Sequence, residues 1–502
     1  MPLTRRELFG IPLGFIFAGM SKSGNADERK KVAAIVTEYW YYSHADVIVG
    51  RLIAGYDRNG ENQTPLVNVV SMFTDHVPTN DKSREVASQY GIQIFPTISE
   101  ALTLGGENLA VDGVVLIGEH GDYPTNEKEQ IMYPHYRFFS ETTDVFRKSG
   151  RAVPLYSDKD ISIDWDEAQS MFAQSVELGF PMMAGSSLPV CRRRPQFDLP
   201  LEIPIEKAVV SCYGPIERYG FHGLETLQCM VERRLGGETG IAAVQLLEGS
   251  SVWNWTDGNE WAKNLLDVSL KTIPNRKTGD FRNNVSNPVV FIVEYYSGLE
   301  AAVYLLNGHI TSFGFAADIT GVEKPTATEF KLSAYKSLDH FDGLVYHIER
   351  LIEYGITPYP VKRTLLTTGA LIAGMESRYQ GYIRFETPHL NITYTAPEDS
   401  GYYRKDGVLV SSQNPIKFAL SQNYPNPFNP KTTIAYSLPH DTHVTISICN
   451  VSGQLVRVLK DDYQEAGNHS VIWNASDMPT GLYFCTLNAN GLTETRKMVL
   501  LK

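Results

Sequence analysis

A chain of 502 residues with 43% hydrophobic and 20% charged residues is globular in composition and too long for one core, so about three domains are expected. The formal net charge of −12 repels phosphate backbones and excludes nucleic acid as a partner class. The cysteines at 191, 212, 229, 449 and 485 form no C-x-x-C pair and no zinc-like spacing with histidine, so no metal site is expected; Cys449 and Cys485 either pair or stay as two buried thiols.

Residues 1–30 read as an export signal. Thr4-Arg5-Arg6 precede an apolar run from Ile11 to Met20 that is too short to anchor in a bilayer but suits a signal-peptide core. Gly24-Asn25-Ala26 offers a small-x-small cleavage site. The arginine pair resembles a twin-arginine signal with Leu8 and Phe9 in reversed order; a Sec signal with an incidental pair is the alternative. No later run is apolar and long enough to span a membrane, so an exported protein without a span is expected, in the periplasm, at the cell surface or secreted.

From residue 31 short apolar runs alternate with helical stretches. Strands are expected at Val32–Val36, Leu66–Met72, Gln93–Phe95, Val111–Ile117, Ala152–Tyr156 and Pro181–Ala184. Helices are expected at Ala45–Tyr56, Ser83–Tyr90, Thr97–Leu104, Phe138–Lys148 and Trp165–Leu178. This rhythm is that of an α/β, Rossmann-like doubly wound parallel sheet, with ligands expected outside the carboxyl ends of its strands. Polar groups gather at those ends: Thr37-Glu38-Tyr39, Asp75-His76, the stretch from Glu119 and His120 to Asp122, and Ser157 to Asp160. Each alone reads as a solvated loop, whereas four on one edge point to a pocket. Further strands at Ile205–Cys212, Ala242–Leu247, Val289–Tyr296, Ala301–Leu306 and Ile310–Ala316 suit a second α/β open-sheet domain.

The passages Tyr90–Leu102, Val111–Ile117 and Ser149-Gly-Arg-Ala-Val153 followed by Asp158-Lys159, with Gly220-Phe-His222-Gly-Leu-Glu225, resemble the glucose–fructose oxidoreductase/inositol dehydrogenase (Gfo/Idh/MocA) family. The resemblance runs diffusely over 31–397 and implies a dinucleotide-binding domain at 31–185 and a substrate and oligomerisation domain at 186–397. It implies Lys159, His222 and Glu225 as catalytic residues, Lys159 contacting cofactor and substrate hydroxyl and His222, tuned by Glu225, as general base. It implies NAD or NADP held near Thr37, Asp75 and Glu119, a sugar-like small-molecule substrate and by analogy a homo-oligomer, while His120 and Asp122, which replace the family's usual loop near the nicotinamide, either bind that substrate or cap a turn before Pro124. The chain departs from the family where G-x-G-x-x-G should stand: Thr37-Glu-Tyr-Trp-Tyr-Tyr-Ser-His-Ala-Asp46 has no glycine, Glu38 repels phosphate, and Ser43 with Asp46 reads as a helix N-cap pair. Arg192-Arg193-Arg194 reads as interdomain salt bridges rather than an anion site.

After a polar linker at 398–417 the sequence changes character. Asn423-Tyr-Pro-Asn-Pro-Phe-Asn-Pro430 forbids helix, and short alternating runs follow between turn residues: Thr432–Leu438, His443–Cys449, Leu455–Leu459, His469–Trp473, Leu482–Leu487 and Arg496–Leu501. A small all-β immunoglobulin-like sandwich is expected over 418–502. The proline motif, Val451-Ser-Gly-Gln-Leu-Val456, Thr480-Gly-Leu-Tyr-Phe484 and Lys497-Met-Val-Leu-Leu501, in that order, resemble the type A sorting domain of the type IX secretion system, which implies the secretion machinery as a partner. Two functions follow as expectations: an exported nicotinamide-dependent oxidoreductase acting on a sugar or polyol hydroxyl, or a non-catalytic scaffold of that fold binding carbohydrate or another surface ligand.

Overall fold

The structure, a computed structural model, describes residues 28–58, 61–332, 337–404, 419–423, 425–438, 442–464, 467–489 and 492–502. Residues 1–27, which include Arg5 and Arg6 and most of the export signal expected at 1–30, and residues 405–418, which include most of the linker expected at 398–417, lie outside the described residues. The chain forms two compact units, Met1–Ser187 with Ser333–Tyr379, and Leu188–Leu332 with Gln380–Lys502.

The first unit is built on six strands: β1 (Lys30–Val36), β2 (Val67–Thr74), β3 (Gln93–Ile94), β4 (Gly113–Ile117), β5 (Leu155–Asp158) and β6 (Met182–Gly185). They lie side by side in the order β3-β2-β1-β4-β5-β6, all parallel. This is the doubly wound Rossmann-like order, and it reverses between β1 and β4. The β-branched and aliphatic runs at its centre, Val32–Val36 and Val114–Ile117, are buried, as a sheet covered on both faces requires. Helices α1 (His44–Ala54), α2 (Ser83–Tyr90), α3 (Ile98–Thr103), α4 (His135–Ser149) and α5 (Trp165–Glu177) fill the crossovers. A small hairpin pairs Tyr56–Arg58 with Glu61–Gln63.

Two helices that the sequence places in the second domain belong to this first unit instead. Asp342–Tyr354 packs so closely on β4 that a Cβ at Gly113 would lie 2.8 Å from the Ile352 side chain. Lys30 Nζ donates to the carbonyls of Ile352 and Glu353 at 3.2 and 2.9 Å, a cation at a helix C-terminus. Arg51 pairs with Asp342, and Tyr56 donates to Glu349 at 2.8 Å. The second helix, Val361–Tyr379, reaches β6, where Thr364 donates to the Ala184 carbonyl at 2.7 Å.

In the second unit an eight-stranded mixed sheet joins β7 (Arg193–Arg194), β8 (Ile205–Cys212), β9 (Ile241–Glu248), β10 (Val289–Tyr295), β11 (Glu300–Leu305), β12 (Phe313–Ile319), β13 (Thr326–Phe330) and β14 (Phe385–Glu386) in the order β14-β9-β10-β11-β8-β12-β13-β7. Its centre is covered on both faces. Helix α6 (Ile216–Val231) approaches so closely at Gly223 that a Cβ there would lie 2.5 Å from Val303. On the other face α7 (Ser250–Gly258) and α8 (Glu260–Lys271) pack Val252, Leu265 and Leu266 on Val209, Ala302 and Tyr304. The arginine triple is structural within this unit: Arg193 is buried, donates to Asp198 at 2.9 Å and lies over the rings of Tyr402 and Phe330, while Arg194 pairs with Glu329.

The tail has its own core. Strands β15 (Ala419–Leu420), β16 (Lys431–Leu438) and β19 (Gly467–Asn474) form one sheet, and β17 (Thr442–Asn450), β18 (Leu455–Gln464), β20 (Gly481–Ala489) and β21 (Leu492–Leu500) the other. Alternate residues of both point inward, Ile434, Tyr436 and Trp473 against Ile446, Ile448, Tyr483 and Leu487, which is a sandwich. Cys449 stands opposite Phe484 while its neighbour Ile448 stands opposite Cys485, so the two thiols face opposite sides of the sheet and both are free.

Candidate functional site

In a parallel sheet the carboxyl ends of the strands deliver their following residues to one edge, and the order reversal between β1 and β4 opens a crevice there. The residues leaving β1, β4 and β5 are Thr37, Glu119 and His120, and Lys159. Thr37 is fully buried and its hydroxyl donates to the Glu119 carbonyl, while its amide donates to the Ile117 carbonyl at 3.0 Å. These bonds tie the loops after β1 and β4 together.

Lys159 is buried at 3% exposure, with its ammonium 3.6 Å from the equally buried Glu119 carboxylate. A lysine flanked by Asp158 and Asp160 reads in sequence equally as a site residue or a surface one; here it is inside. Burial alone would raise the Glu119 carboxyl, but the charges of Lys159, His44, His135 and His120 override it and hold it down to about 2. His120 is pushed the other way, to about 4, by burial and then by His44, so its imidazole is neutral at pH 7. Burial drives the Asp160 carboxyl up. Both His120 and Lys159 hold left-handed backbone, φ +74° and +69°, a conformation costly for non-glycine residues and concentrated at functional sites.

Three further side chains join this cluster. His44, the first residue of α1, places Nδ1 2.5 Å from Asp158 Oδ2, and Asp158 is 1% exposed. The other Asp158 oxygen accepts from Tyr156 at 3.2 Å. The His44 ring also meets His120 edge-on at 5.2 Å and Phe341 at 5.5 Å. His135, at the start of α4, lies over the end of β4, where only glycine fits: a Cβ at Gly118 would be 1.9 Å from its ring. The Nε2 atoms of His120 and His135 are buried with no hydrogen-bond partner among the described residues. Sequence reasoning did not single out His44 or His135. Neither has a spacing that signals its partner, since Asp158 lies 114 positions from His44. Among the described residues no group of three or more histidine, cysteine and carboxylate side chains could hold a metal ion.

The place of the pyrophosphate-binding turn is closed by the chain itself. Trp40 N–H donates to Ser43 Oγ at 3.2 Å, Tyr42 N–H to Asp46 Oδ2 at 2.8 Å and Ser43 N–H to the Trp40 carbonyl at 2.9 Å. Ser43 Oγ caps the helix by accepting from the Asp46 amide at 3.2 Å, as the sequence indicates. The Trp40 ring, tethered through Nε1 to Glu38 at 3.0 Å, stacks edge-on against His120 at 5.0 Å. Backbone amides that a dinucleotide would need are thus spent on the protein's own acceptors, and aromatic side chains stand where glycines would let phosphate approach. Asp75, expected to meet the ribose, accepts from Tyr123 and Arg137, both at 2.6 Å. These residues do not fit a dinucleotide held in that family's usual manner.

Of the remaining expected site residues, Asp122 is exposed on the loop after β4. His222 and Glu225 lie in the second unit on α6; His222 is buried among the rings of Tyr219, Phe221 and Phe313, and Glu225 is fully buried.

Comparison with known proteins adds the following. No curated protein matches the chain. Solved structures similar to it include GenD2 from gentamicin A biosynthesis in complex with NAD, at 14% identity over 73% of this chain and 99% of that one, TM-score 0.45. The myo-inositol dehydrogenase of Corynebacterium glutamicum is 13% identical over 71% and 98%, TM-score 0.42. That of Lactobacillus casei, in complex with NAD(H) and myo-inositol, is 9% identical over 74% and 99%, TM-score 0.44. At such values the strand order, rather than these likenesses, defines the fold of the first unit. Residues 422–501 match the model of the secretion system C-terminal sorting domain family. No described helix is long and apolar enough to cross a membrane. The tail is therefore a sorting domain, and the protein that carries it is secreted or held at the cell surface.

Proposed function

We propose that the protein is an exported binder of a sugar-like polyol, built on a dehydrogenase-like scaffold that does not hold a dinucleotide at the turn after β1. The observation that carries this reading is the closed turn, in which Ser43 Oγ, Asp46 Oδ2 and the Trp40 carbonyl accept from the Trp40, Tyr42 and Ser43 amides, respectively. The polar cluster beside it supports a polyol. Two buried imidazole nitrogens await partners, and a neutral imidazole offers one donor and one acceptor, which matches a hydroxyl. Leaving such groups unpaired is costly, and a bound hydroxyl or water would satisfy them.

A second reading keeps nicotinamide-dependent oxidation of a sugar hydroxyl, with Lys159, His222 and Glu225 as catalytic residues, Thr37, Asp75 and Glu119 near the cofactor, and His120 and Asp122 near the substrate. It is favoured by the buried, strained Lys159 at the end of β5. Calorimetric titration separates the two. The first reading expects heat of binding with myo-inositol or a neutral hexose and none with NAD, NADH, NADP or NADPH. Saturable binding of any of the four nucleotides would overturn it in favour of the second.

A further inference from the structure

The geometry points to an activity that needs no redox cofactor: His44, oriented by Asp158, accepts a proton from the carbon next to the carbonyl of a bound open-chain sugar, with Lys159 offsetting the charge that develops on the carbonyl oxygen. This deepens the polyol-binding reading and rests on it.

Asp158 is at the end of a buried strand, and the single hydroxyl proton of Tyr156 is shared between its second oxygen, at 3.2 Å, and the Gly185 carbonyl, at 2.9 Å. The carboxylate is therefore fixed, and so is the ring nitrogen it engages. With Nδ1–H donating to Asp158, the lone pair is on Nε2, and the imidazolium formed on taking up a proton faces a carboxylate. His44 keeps 18% exposure, so a ligand can reach it, whereas Asp158 is shut off from solvent. A histidine whose sole task was to pin α1 to β5 would not need the neighbours this one has. His120 meets its ring from the loop after β4, Phe341 from the segment before the helix Asp342–Tyr354, and His340 of the same segment has its imidazole pushed down by burial, then by Arg51 and His44. Lys159, the residue after Asp158, brings its ammonium to 3.6 Å from the buried Glu119 carboxylate, next to His120 in the chain.

An oriented base and a buried ammonium are the parts that proton abstraction next to a carbonyl requires, and Lys159 is held there in left-handed backbone. The step balances within the ligand. The C–H bond breaks, its proton forms the Nε2–H bond of His44, and the electron pair moves into the new carbon–carbon double bond as the carbonyl pair shifts to oxygen. Return of the proton from His44 to the same carbon restores the starting sugar, whereas its delivery to the former carbonyl carbon, after proton transfer from the neighbouring hydroxyl to the enolate oxygen, gives the aldose–ketose isomer. Nothing is oxidised or reduced overall, consistent with a scaffold whose dinucleotide turn is closed.

The test uses the full chain in deuterium oxide with D-glucose, D-fructose and D-galacturonate as probes, followed by proton NMR. The expected result is deuterium entering one of them beside its carbonyl carbon, slowed about a hundredfold or more in His44→Gln. Asp158→Asn should slow it too and displace its pH profile, which a merely structural role for Asp158 would not do; it also serves if His44→Gln fails to fold. Exchange in either folded variant at the wild-type rate and pH profile would overturn the inference. A chain that binds polyols by calorimetry but exchanges no deuterium into any probe overturns the inference and leaves the binding reading standing. A chain that does neither overturns both.

Discussion

At the level of single residues, the site is held by groups that each make sense only in company. Lys159 has acidic neighbours in sequence, yet its counter-ion is Glu119, 40 positions earlier, because β4 and β5 lie side by side in register. That is why its burial was not legible: an ion pair across two strands leaves no local pattern. His120 and Glu119 were legible as polar residues at a strand end; His135 was not, since only the fold lays it over Gly118. The depressed imidazole of His120 has a consequence for stability. Its folded value of about 4 lies below the unfolded value of about 6.5, so the unfolded chain binds more protons between them. The contribution of this residue is therefore complete above about pH 6.5 and is lost as pH falls toward about 4. Asparagine tolerates the left-handed backbone at this position and does not titrate. Urea unfolding across that window should show a smaller loss of stability on acidification in His120→Asn than in the wild type; equal slopes would contradict the assignment.

At the level of elements, the sequence shows strands β1, β2, β4, β5 and β6 and the five crossover helices within a few residues, because apolar runs and helical periodicity mark them directly. Helix α1 stops earlier than the periodicity suggests. Gly55 takes φ +89°, and a Cβ there would lie 2.3 Å from the Gln63 carbonyl, so the hairpin of Tyr56–Arg58 and Glu61–Gln63 claims the residues that follow. β7 and β13, reading Arg-Arg and Thr-Ala-Thr-Glu-Phe, were not legible; they lack apolar alternation and exist by pairing at a sheet edge. The start of α1 was legible, since Ser43 with Asp46 is a cap signature, and the cap also closes the turn before it. Ser43→Ala removes the acceptor used by the Trp40 and Asp46 amides and should lower stability by about 1 kcal/mol, read from a denaturant titration at constant slope. A change within error would mean that the cap contributes nothing to holding this turn shut.

At the level of the whole molecule, the division into a parallel-sheet unit, a mixed-sheet unit and a β-sandwich tail was legible from the switch between βα alternation and evenly spaced short strands. The return of residues 333–379 to the first unit was not. Those helices are amphipathic in the ordinary way, and the sheet that receives them shows only in contacts far apart in sequence, Ile352 against Gly113 for the first and Thr364 on the Ala184 carbonyl for the second. Because the tail carries a core of its own, around Trp473, a chain ending after Arg404 should remain soluble and unfold cooperatively on heating. Aggregation of that shortened chain, with the full chain soluble, would mean that the body depends on the tail.

The proposal on which the rest depends is that this Rossmann-like unit holds no dinucleotide at the turn after β1. The most direct measurement is on the folded full-length protein purified without added nucleotide: denature it, and quantify released nicotinamide nucleotide by enzymatic cycling. The account predicts none above the level released by an unrelated protein taken through the same steps. Near-stoichiometric release would contradict it, because a turn whose amides are bonded to Ser43, Asp46 and the Trp40 carbonyl offers no place to retain a pyrophosphate.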